Sequence, residues 1–246
     1  MDNGQDLYIG LMSGTSSDAI DAALVRFSDS GCELVSTLAA RLDAAILDRI
    51  KRAVGGTADC ISDISELDVL LAQAFADTAL LLKDQAGVDQ ITAIGSHGQT
   101  VRHQPRGCLP YTVQLGNGAR IAALTGITTV SDFRTADLAL GGQGAPLVPA
   151  FHRAIFSDPD ENRVIVNIGG IANVTVLHRK DRLSGFDTGP GNTLMDHWFR
   201  QHQPGIYDEN GTWARPGTCL PKLLRTLLEC DYFSRPPPKS TGLEEF

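Results

Sequence analysis

Three observations predict an α/β fold with a duplicated plan. Apolar runs of strand length end repeatedly in short clusters of Gly, Ser, Thr, Asn and Asp; one long stretch, residues 62 to 85, carries apolar residues at helical spacing; and a strand-turn-strand device near the amino terminus returns in the second half. The 246 residues, 42% hydrophobic and 20% charged, suffice for one large domain or two small ones. A formal net charge of −8, with no basic run, argues against nucleic acid or an anionic membrane as partner and leaves a small-molecule substrate. Cys32, Cys60, Cys108, Cys219 and Cys230 are odd in number and form no CxxC pair, so reduced thiols are expected rather than disulfides or structural zinc. The amino terminus has no signal-peptide pattern and no apolar run reaches the roughly 20 residues of a membrane span, which predicts a cytoplasmic protein.

The organising stretch is Tyr8-Ile-Gly-Leu-Met-Ser-Gly-Thr-Ser-Ser-Asp18-Ala-Ile-Asp21-Ala-Ala-Leu-Val. Residues 7 to 12 suit a buried strand, and the following alternation puts Ile20, Ala22 and Leu24 on one face and Asp21 on the other. Between them Gly14 lets backbone N–H groups converge on an anion, while Ser13, Thr15, Ser16 and Ser17 add hydroxyls. Asp18 and Asp21 supply the one or two carboxylates that nucleotide-bound magnesium usually takes from a protein. An ordinary polar hairpin turn has the same composition.

A third strand is expected over residues 32 to 38, a short helix over 44 to 54 and a long one over 62 to 85. Ser65 and Asp68 have capping-box spacing, and Ile64, Leu67, Leu71, Phe75, Thr78 and Leu82 form an apolar face. Next, a short apolar strand ends in Gly95-Ser96-His97-Gly98-Gln99-Thr100, where two glycines leave room for a sugar beside polar groups. A solvated loop is the alternative. A Ser96/His97 hydrolase pairing is disfavoured, because neighbours on a strand point opposite ways and no G-x-S-x-G elbow is present. A helix over 119 to 124 and a strand over 127 to 130 lead to Ser131-Asp132-Phe133-Arg134. There Asp132 can accept from sugar hydroxyls and Arg134 can grip a carboxylate, unless the two support the loop as an internal pair. A glycine loop at 141 to 144 precedes Pro146, placed near the start of a helix running to about residue 156.

Polar residues 158 to 162 mark the expected boundary, with a first lobe spanning 1 to 159 and a second from 160 to 246. The second opens on Arg163-Val-Ile-Val-Asn167-Ile-Gly169-Gly170-Ile-Ala-Asn173-Val-Thr-Val, again strand, glycine turn, strand, although a simple hairpin reads the same way. In Gly185-Phe-Asp187-Thr-Gly-Pro-Gly-Asn192-Thr a carboxylate is expected at a strand end before a glycine turn and a helix. A general base needs that kind of rigid mounting, and a capping aspartate would look alike. Residues 220 to 229 are an amphipathic helix, and Arg235-Pro-Pro-Pro-Lys239-Ser-Thr-Gly242 is a proline-stiffened loop.

The opening Gly10-Leu-Met-Ser-Gly-Thr-Ser-x-Asp18-x-x-Asp21-x-Ala-Leu resembles the amino-terminal signature of the anhydro-N-acetylmuramic acid kinases, within the sugar kinase, Hsp70 and actin superfamily. Ala19 stands where that family usually has Gly. The Gly-Ser-His-Gly-Gln-Thr segment looks like the family's sugar-binding segment, and Phe186-Asp-Thr-Gly-Pro-Gly-Asn192 like the one carrying its catalytic aspartate. The resemblance covers essentially the whole chain but about the first two-thirds of the family's length. It implies an actin-like (ribonuclease H-like) pair of ATPase domains, the second incomplete and so exposing apolar surface.

By resemblance the activity is ATP- and magnesium-dependent conversion of 1,6-anhydro-N-acetylmuramic acid to N-acetylmuramic acid 6-phosphate in cell-wall recycling, by a protein that tends to form homodimers. The implied roles are Asp187 as base; Ser13, Gly14, Thr15, Ser16, Ser17, Asp18, Asp21, Gly169 and Gly170 at the phosphates; Asp18 and Asp21 at magnesium; and Ser96, His97, Gln99, Asp132, Arg134 and Asn192 at the sugar. An inactive kinase fragment and a non-catalytic actin- or Hsp70-like ATP-binding module are the alternatives.

Overall fold

The computed structural model describes residues 6–14, 19–28, 31–57, 60–179, 182–242 and 246. They form two compact units, residues 1–144 and 145–246. The expected mixed α/β class is what the chain adopts.

In the first unit β1 (Leu7–Ser13), β2 (Ala19–Ser28) and β3 (Gly31–Arg41) form an antiparallel ladder. β4 (Ala93–Gln104) lies parallel to β1 on its other side. β5 (Tyr111–Leu115) pairs antiparallel with the second half of β4, and β6 (Thr129–Val130) pairs parallel with Ile94 and Gly95 near its start. The opening device is therefore a strand pair in register from Leu7 opposite Arg26 to Ser13 opposite Ile20; Thr15, Ser16, Ser17 and Asp18 lie outside the described residues.

Helices α1 (Ala44–Val54) and α2 (Ile61–Gln85) follow, with α2 packing on strands of the sheet and on α3 (Gly118–Thr125). Leu67, Leu71, Phe75 and Leu82 are buried as their spacing predicts, in one core with Ile9, Leu11, Ile20 and Leu24, and Thr78 is buried with its Oγ1 donating to Ala74 O. Burial of such side chains is worth roughly 1.5–3 kcal/mol each. The capping-box expectation fails. α2 starts at Ile61, Ser65 Oγ bonds back to Ile61 O, and Asp68 Oδ1 accepts the Gly116 N–H at 2.7 Å. Asp68 thus pins the turn between β5 and α3.

β4, expected to end at the polar cluster, runs through it to Gln104. Gly95 is paired with Gly10 of β1 and Val130 of β6, and beyond Gly98 the strand is carried on by β5, from Gln99 opposite Leu115 to Gln104 opposite Tyr111, a partner that no sequence pattern announces. Gly98 sits at φ +73°, and an added Cβ would lie 2.5 Å from Leu115 O, so only glycine lets β5 come this close. The short helix α4 (Thr135–Ala139) was also unforeseen.

The second unit holds β7 (Arg163–Ile168), β8 (Ile171–Leu177) and β9 (Leu183–Pro190) in one antiparallel sheet, so the expected second hairpin is present. Helix α5 (Pro149–Phe156) begins at Pro149 rather than near Pro146 and packs on β8 and β9; the expected division after Pro159 falls beyond this helix, whereas the compact units divide before it. Its buried His152 Nδ1 lies 2.9 Å from the fully buried Thr175 Oγ1 of β8. Helices α6 (Thr193–His202), α7 (Pro221–Leu228) and α8 (Asp231–Ser234) complete the unit. Val164, Val166 and Ile168 of β7 are 57–63% exposed, as are large parts of Leu223, Leu224, Leu227 and Leu228 of α7, so the expected exposed apolar surface is present. No helix among the described residues is long and apolar enough to cross a membrane.

Candidate active-site residues in the two units

In the first unit the strand alternation sorts the expected residues onto two faces. Asp21, His97, Gly10, Met12, Gly95 and Phe133 line one cavity of about 470 Å³, so a carboxylate of β2 and a histidine of β4 share a surface. Ser96, one residue from His97, is 1% exposed, and its Oγ is buried without a hydrogen-bond partner among the described residues. Gln99, expected at the sugar, is buried and works inside the fold. Its Oε1 accepts from Ser13 Oγ at 2.6 Å, while its Nε2 donates to Thr100 O at 3.1 Å and reaches Gly14 O at 3.4 Å. It thus braces Ser13 and Gly14 at the end of β1.

Arg134 is the hub of a polar cluster. Its Nε and Nη2 donate to His97 Nε2 at 3.0 and 2.7 Å, and its Nη1 donates to the carbonyl of Gly144. His97 Nδ1 lies 2.9 Å from Gly98 O, so these partners assign the neutral ring its proton on Nδ1. Burial lowers the His97 pKa, the Arg134 charge lowers it further, and the Gly98 carbonyl opposes both. The Gly144 end is held in turn by Asp137, whose Oδ2 accepts the Gly144 N–H at 2.7 Å. Asp132 adopts φ +59° and turns its carboxylate back onto Thr135, accepting from Oγ1 at 2.5 Å and from N at 3.3 Å. Asp132 and Arg134 thus act on different partners.

His103, on the same strand, is pulled from 6.5 to about 4, by burial first and by Arg134 second, against the backbone of Gln143. The unfolded chain takes up this proton near pH 6.5 and the folded one only near 4, so between those values the unfolded state binds more protons. Stability is therefore expected to fall as pH drops through that window. Urea titrations of parent and His103→Gln at pH 7 and 4.5 would check this: the variant should lose less stability on acidification, and equal losses would refute the assignment.

In the second unit Asp187 lies within β9, not at its end, because pairing with β8 carries the strand on to Pro190. It faces Asn173 across the ladder, beside a register shift between Ala172 and Asn173, the kind of bulge that re-aims a side chain. Asp187 is 6% exposed, and its Oδ2 accepts the Thr241 N–H at 3.0 Å. Asn173 Oδ1, unflagged by the sequence, is buried without a partner among the described residues. The turn at Gly169 and Gly170 is fastened to the start of α6: Gly191 N donates to Gly170 O at 2.8 Å and Asn192 N to Gly169 O at 2.7 Å, with Asn192 Nδ2 3.3 Å from Ile168 O. Asn192, expected at the sugar, contacts the backbone of Ile168 and Gly169. Among the described residues no group of three or more His, Cys, Asp or Glu could hold a metal by itself.

The family profile described as "Anhydro-N-acetylmuramic acid kinase" matches residues 6–246. The chain belongs to the anhydro-N-acetylmuramic acid kinase family. A relative bearing that name from Coxiella burnetii (strain Dugway 5J108-111) is 50% identical over 98% of this chain and 66% of its own length. Those from Xylella fastidiosa and Photobacterium profundum are 48% identical over 99% and 97% of this chain and 66% and 64% of their own. The chain thus spans about two thirds of the length of these kinases. Among solved structures, the ROK hexokinase from Thermus thermophilus is a loose likeness at 16% identity and a TM-score of 0.40, covering 92% of this chain and 74% of that one.

Proposed function

We propose that the protein phosphorylates 1,6-anhydro-N-acetylmuramic acid with ATP while water opens the anhydro ring, giving N-acetylmuramic acid 6-phosphate and ADP. The observation that carries this reading is the 50% identity to a kinase of that name over 98% of the chain. Asp187, mounted beside a bulge with one carboxylate oxygen fixed, takes the proton of the water that attacks the anomeric carbon as the sugar's O6 leaves it for the γ-phosphate. Ser13 to Ser17, Gly169 and Gly170 present N–H and hydroxyl groups to the phosphates, and positioning and charge neutralisation do most of the work in such transfers. Gln99 contributes by bracing Ser13 and Gly14. His97, Arg134, Asp132, Ser96 and Asn192 serve the sugar, with Arg134 pre-organised by His97 and Gly144.

Magnesium fits here as an ion carried by the nucleotide. Asp21 offers a carboxylate to the cavity, and with Asp18 it makes the small donor set that nucleotide-bound magnesium requires. Bound there, the ion would neutralise phosphate charge. We place the protein in the cytoplasm, as a homodimer in peptidoglycan recycling. ADP release from magnesium, ATP and 1,6-anhydro-N-acetylmuramic acid is the test. Sugar-dependent release is expected; ATP-induced thermal stabilisation without release would instead favour a nucleotide-binding module, since a ligand stabilises only a fold that binds it.

A further inference from the structure

The proline loop near the carboxyl end received no role from the sequence, yet it covers Asp187. β9 is the last strand of its sheet, so its outer edge has no strand to pair with among the described residues. Residues 239 to 241 take that place. Asp187 N donates to Lys239 O at 3.0 Å, and Thr241 N donates to Asp187 Oδ2 at 3.0 Å. From α8, Tyr232 Oη donates to Asp187 O at 2.6 Å. The backbone N–H, the backbone carbonyl and one carboxylate oxygen of a single residue are thus held by one ten-residue stretch of chain, residues 232 to 241.

That stretch is closed on itself by Lys239, 8% exposed. Its Nζ donates to Tyr232 O at 3.0 Å and Phe233 O at 3.4 Å and lies 4.6 Å from the centre of the Tyr232 ring. Tyr232, fully buried, therefore meets Asp187 through its hydroxyl and Lys239 through its carbonyl and its ring face. Residues 236 to 238 are all proline, which restricts the backbone leading into Lys239 and lowers the entropy lost on ordering it. A lysine buried at this cost in solvation is more than a filler of space.

We propose that residues 236 to 242 form a positioning strap for Asp187, with Lys239 as its anchor. The inference rests on Asp187 being the base. Lys239 touches no reacting atom; it fixes the carbonyl that Asp187 N–H needs and the Thr241 amide that orients its carboxylate. The position of the base should then depend on an ammonium group two bonds of the network away.

The test uses the full chain with Lys239→Met, which keeps length and packing but removes the ammonium, and Lys239→Arg, which restores a cation. In Lys239→Met, amide hydrogen exchange at Asp187 and Thr241 should accelerate at least about tenfold while Val174 and Val176 of β8 keep their protection, a local rather than global opening. The rate constant kcat should fall about tenfold with KM for ATP and sugar within about twofold, and Lys239→Arg should recover most of it. Unchanged exchange at Asp187 and Thr241 overturns the strap. So does uniform acceleration across the second unit, or faster local exchange with kcat intact. Failure of the kinase reading looks different: the parent itself, or Asp187→Asn, would give the unexpected turnover, and amide exchange would still decide the strap.

Discussion

Replacing Asp187 by Asn should lower sugar-dependent ADP release by roughly 10²–10⁴-fold, the range that a positioned general base contributes. This corresponds to about 3–5 kcal/mol of barrier at 1.36 kcal/mol per tenfold. Asn keeps the shape of Asp and an oxygen able to accept the Thr241 N–H, so the contact with the strap survives and only the capacity to take a proton is lost. The backbone groups of residue 187, bonded to Lys239 O and Tyr232 Oη, are untouched. Melting curves of variant and parent should therefore nearly coincide, and KM should move little, because the lost interaction belongs to the transition state. Turnover retained in Asp187→Asn would remove Asp187 from the chemistry altogether. Lost turnover with a collapsed melting transition would assign the residue to the fold.

What the sequence made legible follows from how local each cause is. β1 and β2 could be read because the alternation of Ile20, Ala22 and Leu24 against Asp21 is set by the burial of one sheet face, and Phe75 and its neighbours because their spacing is that of a helix. β4 could not be bounded, because Gly95 and Gly98 look like an end until Leu115 of β5 pairs with Gln99 just beyond them. Asp68 has the right spacing to Ser65 for a cap, but its partner is the Gly116 amide, 48 residues away. Gln99 stands in a cluster that reads as ligand-binding, and only the proximity of Ser13 and Gly14 shows it serving the turn. The strap was invisible for a further reason: its contacts to Asp187 use the backbone of Lys239 and Thr241, and a backbone group carries no residue-specific signal.

Gly191→Ala should destabilise the second unit by about 2–4 kcal/mol, the size reached when a main-chain network breaks rather than when a contact weakens. An added Cβ would lie 2.1 Å from Gly169 O and 3.4 Å from Ala172 N, and both neighbours are backbone, so no rotamer change can make room. Either α6 or the turn at 169 and 170 must move. That parts Asn192 N from Gly169 O, Gly191 N from Gly170 O and the longer Thr193 N to Gly170 O contact at 3.4 Å. The chain's two tryptophans, Trp198 and Trp213, lie in the second unit, so urea unfolding followed by their fluorescence reports on that unit. Gly10→Ala makes the same chemical change where nothing lies within 4 Å and should leave the tryptophan transition where it is. If Gly169 and Gly170 serve the phosphates, ATP should also stabilise Gly191→Ala less than the parent at equal ligand concentration. A midpoint unchanged from the parent would mean that the glycine turn and α6 are not fastened as described, and would remove the structural support for the proposed phosphate role of Gly169 and Gly170.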